Sequence, residues 1–249
     1  MLDVTGLISS FIEPWQTSRF ADMHKSPWDV VGNIESLLRQ HIASLGSSYQ
    51  RVDELAVHRT ARIEAGAVVK GPAIIGPNCF IAAGAYLRGG VYLDQDCIVG
   101  PSSELKTSVM FAGSKLAHMN FVGDSIIGAD VNIEAGAVIA NQRDEREDRN
   151  IRIVYHGQVI DTGVSKFGAL VGDGSRIGAN AVVAPGALLK PASIVGRLQL
   201  IDQSPEIVLT RYHDMISIYQ DSNRHTCSVN LTTISGRFIS TWRYAHIQS

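Results

Sequence analysis

A six-residue repeat of apolar residues predicts an all-β solenoid, a parallel β-helix, over most of this 249-residue chain. A fixed period is typical of solenoids, and six residues match neither an α-helix nor a plain alternating strand. Small residues follow most repeat positions by four, and Gly and Pro occupy the turns, so each hexad predicts a short strand and a tight turn. The first unbroken run of the repeat is Val57, Ile63, Val69, Ile75, Ile81, Leu87, Leu93, Val99, Leu105 and Phe111.

The repeat divides the chain into three predicted parts. The β-helix occupies residues 52–202, because the period returns twice after interruptions. Residues 141–165 form an inserted loop within it. Residues 1–51, which lack the hexad, are predicted to form an N-terminal helical cap. Residues 203–249 form a C-terminal extension of unknown role, which is rich in β-forming residues and could add strands.

The N-terminal part contains one clear helix signal. Ser26 is suited to the N-cap position and Pro27 to the first turn. Apolar residues from Val30 to Leu45 then recur at helical spacing, and Gly46 can end the helix. We expect this amphipathic helix to pack on the solenoid and to cover its open end, where strand edges are exposed.

The inserted loop contains a charged segment and a predicted hairpin. Residues 143–149 are all charged, which favours a solvated loop. Residues 151–155 and 158–160 are β-formers that flank His156–Gly157, a pair suited to a tight turn. Loops that leave a solenoid on one face often carry function.

Composition and charge exclude several classes of protein. The net charge is −2, so a basic face for nucleic acid is not expected. The first 14 residues do not resemble a signal peptide, and no segment is long enough to cross a membrane, so we expect a cytoplasmic protein without membrane insertion. Cys79 and Cys97 both fall at small inward positions three hexads apart, which predicts stacked core residues in a reducing compartment.

A candidate for catalysis lies where the repeat first breaks, at residues 112–125. His118 stands there among small residues, and a neutral imidazole is the usual general base at neutral pH. Glu104 lies one coil earlier, where a carboxylate could orient the ring and stabilise its protonated form. Neither Ser nor Cys lies in an evident nucleophile elbow, so covalent catalysis is not indicated.

The residues around His118 carry a family resemblance. Residues 115–124 and 131–136, together with the hexads, resemble the acetyltransferase half of the bifunctional glucosamine-1-phosphate acetyltransferase / N-acetylglucosamine-1-phosphate uridyltransferase family. Residues 161–169 resemble archaeal-type sugar-phosphate nucleotidyltransferases that carry the same domain. The resemblance extends over residues 73–200. It implies a left-handed β-helix, a homotrimer with sites between neighbouring subunits, and acetyl-CoA as co-substrate with no metal required for acetyl transfer.

The resemblance also implies roles for the catalytic and phosphate-binding residues. His118 matches the general base, which takes a proton from the sugar amine as the amine attacks the thioester. Glu104 matches the acidic residue that supports this base. Arg88 and Lys106 match residues that hold the sugar phosphate and hydroxyls, and a phosphate dianion does require several cationic donors.

Five further positions follow from the same match. Asn132 and Lys166 match substrate-binding positions. Asn141 matches the Asn beside the acetyl group, and Ala135 and Ala179 match backbone positions along the coenzyme A arm, where N–H groups could also stabilise an oxyanion.

The sequence departs from the family in three respects. One is the insertion at residues 141–165, which we expect beside the site, where it could act as a lid. Phe121 stands at a substrate-binding position where the bacterial family has Tyr, so one hydroxyl contact is lost. Residues 1–51 are too short for a nucleotidyltransferase domain, so uridylyl transfer is not expected from this chain and would belong to a separate nucleotidyltransferase.

The sequence therefore predicts an acetyl-CoA-dependent N-acetyltransferase that acts on an amino-sugar phosphate, or on a nucleotide-linked amino sugar. One alternative is a non-catalytic subunit that binds a sugar nucleotide or serves assembly on the same fold. Another is a zinc carbonic anhydrase on this fold, which would require three converging His ligands. His118 has no second His within a few residues, which disfavours that alternative.

Overall fold

The computed structural model describes residues 4, 6–23 and 25–205. The helical elements are α1 (Leu7–Phe11), a 3₁₀ turn (Glu13–Thr17), α2 (Pro27–Gly32) and α3 (Ile34–Ser44). The strands are β1 (Tyr49–Val52), β2 (Leu55–His58), β3 (Arg62–Ile63), β4 (Val68–Val69), β5 (Ala73–Ile75), β6 (Phe80–Ile81), β7 (Tyr86–Leu93), β8 (Ile98–Val99), β9 (Glu104–Met110), β10 (Lys115–Leu116), β11 (Phe121–Gly123), β12 (Ile126–Ile127), β13 (Asn132–Ile133), β14 (Val138–Ile139), β15 (Arg152–Tyr155), β16 (Gln158–Asp161), β17 (Ala169–Val171), β18 (Arg176–Ile177), β19 (Val182–Val183), β20 (Ala187–Leu189), β21 (Ile194–Val195) and β22 (Leu200–Ile201).

The strands stack into parallel coils with three faces. Face A contains β4, the first parts of β7 and β9, β11, β14, β19 and β22. Face B is the 7-stranded sheet β3–β6–β8–β10–β13–β18–β21. Face C contains β2, β5, the second parts of β7 and β9, β12, β17 and β20. The predicted parallel β-helix is confirmed, and one coil takes three hexads.

The repeated apolar residues point into the coil and form its core. Ile75, Leu87 and Val99 are completely buried there. Cys79 and Cys97 lie on neighbouring coils as buried free thiols, as their spacing predicted. A fully buried aliphatic side chain contributes about 1.5–3 kcal/mol, so a core repeated in every coil stabilises the solenoid along its length.

Face C is apolar on its outer side as well. Its outward side chains are Ile74, Tyr92, Val109, Ile126, Leu170 and Leu188, which follow one another in register. They are buried because the N-terminal helices pack on them through residues such as Trp15, Val31 and Leu38. The helices thus cover a lateral face of the solenoid rather than its open end, where we expected them. At the open end, β1 pairs antiparallel with β2 and extends that sheet edge.

The N-terminal helix begins where the sequence predicted but is interrupted. Pro27 occupies the first turn of α2, and the Ser26 hydroxyl accepts a hydrogen bond from the Asp29 N–H at 3.3 Å. The helix ends at Gly32, a poor helix former, and the Asn33 amide donates to the Asp29 carbonyl at 2.8 Å. The expected single helix is therefore two helices, and α3 begins at Ile34 after the non-helical Asn33.

Two corners of the coil position the candidate site. The B–A corner lies between a strand of face B and the next strand of face A, and it includes residues 117–120. The A–C corner lies between a strand of face A and the next strand of face C, and it includes Gly89–Gly90, Thr107 and Asp124.

The insertion leaves the coil at the A–C corner and returns to it. The Phe167 N–H donates to the Asn141 carbonyl at 3.0 Å, which closes the base of the insertion. Strands β15 and β16 form the predicted hairpin, with its turn at His156–Gly157. The strands considered for the C-terminal extension lie outside the described residues. Among the residues that the structure covers, no helix is long and apolar enough to cross a membrane.

Candidate active site

Arg88 and Lys106 lie side by side at the edge of face A, next to the A–C corner. They are Cα partners on β7 and β9, and alternation along both strands turns both side chains outward. Arg88 binds the Glu104 carboxylate at 2.6 Å and Lys106 binds the Asp124 carboxylate at 2.6 Å. The two cations that the sequence placed on one face are therefore neighbours, each held by its own carboxylate.

Glu104 faces Arg88 rather than His118 in this structure. It is the Cα partner of Phe121 on face A and its side chain is 31% exposed. Within the described residues no hydrogen bond joins its carboxylate to the His118 ring. The reason is local: Arg88 projects from the neighbouring strand on the same face, whereas His118 lies at the corner three residues before Phe121. The contact expected between Glu104 and His118 is thus absent from a single subunit.

His118 stands at the exposed B–A corner, at the opposite end of β11 from Asp124. Its carbonyl accepts a hydrogen bond from the Gly136 N–H at 2.9 Å, which fixes the corner backbone. Its side chain is exposed and has no hydrogen-bond partner among the described residues. The imidazole is therefore free to meet a ligand from solvent.

The two alanines matched to the coenzyme A arm lie on the same corner as His118. Hydrogen bonds along the corner run from Gly136 to His118, then from Asn180 to the Ala135 carbonyl at 3.0 Å. Ala179 follows on the next coil. The corner thus forms a line of small side chains that starts at His118 and follows the coil axis.

One amide on this line is already hydrogen-bonded. The Ala179 N–H donates to the Glu134 carboxylate at 2.9 Å, and Arg197 binds the same carboxylate at 2.9 Å. The hydrogen bond from Arg197, followed by that from Ala179, lowers the pKa of Glu134. An equivalent hydrogen bond runs from the Ala83 N–H to the Glu64 carboxylate at 3.0 Å. A carboxylate that accepts from a backbone N–H of the next coil therefore also occurs at a corner away from the site.

Asn132 lies on face B, apart from the basic pair. Its side chain is exposed, and its Cα partners are Lys115 on one side and Arg176 on the other. A single subunit therefore does not bring Asn132 together with Arg88 and Lys106. Phe121 is half-buried on face A, between Glu104 and Val138.

A cavity of ≈ 630 Å³ opens at the A–C corner. Lys166, at the returning end of the insertion, lines it together with Thr107 and Asp124. The start of α3 forms the opposite wall. Lys166 is thus brought to the corner that holds Lys106, although the two residues are far apart in sequence.

Asn141 also lies at this corner rather than on the line of His118. Its side-chain amide donates to the Asp124 carboxylate that binds Lys106. A Cβ at Gly123 would meet Asn141 at 2.8 Å, so the glycine leaves the space that Asn141 occupies. The position matched to the acetyl group is, in one subunit, part of the Lys106 cluster.

Sequence reasoning missed Asp124 and the contribution of α3. Asp124 could have been found, because it follows Lys106 by three hexads, which predicts a place near Lys106 on the next coil. The observed register is one residue shorter and pairs Lys106 with Gly123, so Asp124 lies in the adjoining corner. The sequence near the site contains one indication that α3 packs there, the pair Gly89–Gly90. Two glycines permit the close approach of another backbone.

The chain matches the family described as "Bacterial transferase hexapeptide (six repeats)" at residues 57–89 and 72–107. Residues 57–107 therefore contain the hexapeptide repeats of this family. The hexapeptide-repeat chain is 32% identical to a "Bifunctional sugar-1-phosphate nucleotidylyltransferase/acetyltransferase" of Sulfurisphaera tokodaii, over 69% of this chain and 45% of that protein. It is 31% identical to the "Bifunctional protein GlmU" of Methanococcus vannielii, over 72% of this chain and 44% of that protein.

The "Bifunctional protein GlmU" of Methanococcus maripaludis is similar to a comparable extent, with 32% identity over 72% of this chain and 44% of that protein. The family resemblance inferred from the segment around His118 is therefore confirmed. The hexapeptide-repeat chain spans less than half the length of these relatives.

Proposed function

We propose that the chain is an acetyltransferase that moves the acetyl group of acetyl-CoA to the amine of a phosphorylated amino sugar. The observation that carries this proposal is the A–C corner. Lys166 lines the cavity there, and Lys106, the strand partner of Arg88, binds the Asp124 carboxylate that also lines it. Several cations around one cavity of small-molecule size suit a phosphate-bearing ligand.

His118 is the general base of the proposed reaction. The sugar amine attacks the thioester carbon, its proton passes to the imidazole, and coenzyme A leaves as the thiol. An exposed ring with no competing partner among the described residues is suited to this step. Proton transfer by a positioned side chain contributes about 10²–10⁴-fold, and holding amine and thioester together supplies the larger part.

The phosphate of the acceptor binds Arg88 and Lys106 while these two cations keep their ion pairs with Glu104 and Asp124. Lys166, which has no ion-pair partner among the described residues, adds a third cation. Because Glu104 and Asp124 hold the first two cations in place, the acceptor meets a preformed site.

The acetyl-CoA arm follows the B–A corner past Ala135 and Ala179. These small side chains leave room beside the corner backbone. The acceptor amine must reach His118, which lies at the far end of β11 from the cavity. A homotrimer meets this demand if His118 of one subunit faces the cavity of another, and Asn132 joins the site in the same way.

The test is thiol release from acetyl-CoA with a panel of amino-sugar 1-phosphates and nucleotide-linked amino sugars. We expect turnover with one acceptor and a loss of about 10²–10⁴-fold in His118→Ala. His118 is exposed and unbonded, so the melting temperature should stay unchanged. His156→Asn, in the turn of the β15–β16 hairpin, is the matched control and should keep wild-type turnover.

Two other results would contradict the proposal at different points. Full turnover in His118→Ala would remove this residue from the mechanism and leave the acetyltransferase assignment intact. A well-folded wild-type protein that releases no thiol with any acceptor would overturn the assignment and favour a sugar-nucleotide-binding subunit on the same fold.

A further inference from the structure

We infer that the first turn of α3 forms the specificity wall of the acceptor pocket, and that Ser36 is the residue that limits which phosphorylated amino sugar enters. This inference rests on the proposed function, because it takes the cavity at the A–C corner as the acceptor site. It assigns a binding role to the N-terminal helices, which lie outside the β-helix.

The cavity is built from two separate parts of the chain. Gly89, Thr107 and Asp124 supply the coil side, and the loop 163–166 closes one end. Residues 31–36 and Arg39 supply the whole opposite side. At ≈ 630 Å³ the cavity lies within the usual range for small-molecule sites, and removing α3 would leave an open corner instead of a pocket.

A glycine brings α3 close enough to form this wall. Gly90 has φ +89°, and a Cβ there would come within 2.7 Å of Ile34 Cγ2 and 3.2 Å of the Glu35 N. Gly90 belongs to the bulge that follows Arg88, where two glycines stand opposite Thr107. The turn that carries Arg88 is therefore the one against which α3 begins.

The two cations that line the cavity, Arg39 and Lys166, differ in their partners. Arg39 binds Glu35 at 3.0 Å and Glu54 at 2.6 Å. Asp124 is bound by Lys106. Among the described residues that line the cavity, Lys166 is the cation without an ion-pair partner. A ligand phosphate is drawn to Lys166, and the rest of the ligand then lies against α3.

The wall offers hydroxyl and amide groups to the remainder of the ligand. Ser36 and Thr107 face the same cavity from opposite sides, and within the described part of the chain neither hydroxyl has a hydrogen-bond partner. Asn33 lies beside them. Side chains of this kind suit the hydroxyls of a sugar ring, so the chemical class is a phosphorylated sugar and not an apolar ligand.

The test uses paired substitutions on one helix face in the full-length protein. Ser36→Trp fills the cavity. Ser36→Glu adds a negative charge to it, and Glu in the first helical turn favours folding. Gln40→Trp and Gln40→Glu make the same changes one turn later, at an exposed residue that does not line the cavity. Binding of glucosamine 1-phosphate is measured by calorimetry, and KM for acceptor and for acetyl-CoA by thiol release.

We expect both Ser36 variants to weaken glucosamine 1-phosphate binding by roughly tenfold or more, through steric exclusion or charge repulsion. KM for acetyl-CoA and both Gln40 variants should stay at wild-type values. Ser36 variants that bind the ligand like their Gln40 counterparts would overturn the inference, as would a wild-type protein that does not bind it. Binding lost in the Ser36 variants of a protein without turnover would support the pocket and refute the proposed function.

Discussion

Arg143 shows how one residue ties the insertion to the coil. Its side chain is 3% exposed, binds Asp202 at 2.7 Å and donates to the Pro185 carbonyl at 3.1 Å. Removing one partner of a buried ion pair leaves the other uncompensated. We predict that Asp202→Asn lowers the free energy of unfolding by about 3 kcal/mol, measured by urea denaturation. Asp144→Asn, which removes an exposed partner of Arg149, should change it by less than about 0.5 kcal/mol.

The same pair predicts a dependence on pH. Burial alone would raise the pKa of Asp202. The hydrogen bond from Arg143, the one from the Ser204 N–H and the charges of Arg143 and Arg146 together outweigh burial, so the pKa lies below the ordinary value. A carboxylate with a depressed pKa contributes stability above its unfolded pKa and loses it as pH falls through the folded one. The stability gap between wild type and Asp202→Asn should therefore shrink below about pH 4. A gap that stays constant down to about pH 2 would contradict the assigned ion pair.

Single residues at the site were predictable where the hexad fixes their position. Arg88 and Lys106 are three hexads apart, so stacking on one face follows from the period alone. The Glu104 partner was not predictable in this way. The period places Glu104 next to both Arg88 and the strand that follows His118, and the choice between them depends on side-chain reach.

At the scale of elements, the docking of α3 depends on Gly90. We predict that Gly90→Ala destabilises the protein in two ways. The positive φ costs about 1–2 kcal/mol for an L-residue, and the new methyl group would also meet Ile34. Hydrogen exchange of the α3 amides should become faster, and glucosamine 1-phosphate binding should weaken with it.

Gly174→Ala separates these two effects. Gly174 has φ +67° at another corner of the coil, and nothing lies within 4 Å of the position that a methyl group would take there. This variant should show the backbone cost without faster exchange in α3. Equal exchange in the two variants would mean that contact with Gly90 does not hold the helix.

The sequence contained a signal for the lateral position of the helices, in pairs of apolar residues rather than in the hexad. Strands of face C carry a second apolar residue before the repeated one, as in Ile74–Ile75, Ile126–Ile127 and Leu170–Val171. Face A has such pairs too, as in Val68–Val69 and Val182–Val183, so the pattern indicates that a face is covered but not that the helices cover it. A strand that is apolar on both sides is covered on both sides. The prediction of a cap at the open end used only the six-residue period. That period describes the residues that point into the coil and not the apolar residues on its outer side.

At the scale of the whole molecule, face A carries exposed apolar residues beside its charged ones, as far as the described residues of one subunit show. Val68, Val182 and Leu200 occupy one register row on it and are 45%, 39% and 62% exposed. Val182 and Leu200 are direct neighbours in this row, and exposed apolar neighbours often mark an interface with another protein. The row includes Glu104 and Phe121, so a neighbouring subunit placed there would also enclose the proposed site.

We therefore predict a mass of three times 26.9 kDa by sedimentation equilibrium for the wild type. Val182→Glu buries a charge in the expected interface and should shift the mass to 26.9 kDa, with loss of turnover, because His118 of one subunit no longer meets the cavity of another. Val159→Glu, at a 53% exposed position on the β15–β16 hairpin, is the control and should change neither. An active monomer would require a different explanation: the acceptor itself would then have to span face A from the cavity to His118 within one subunit.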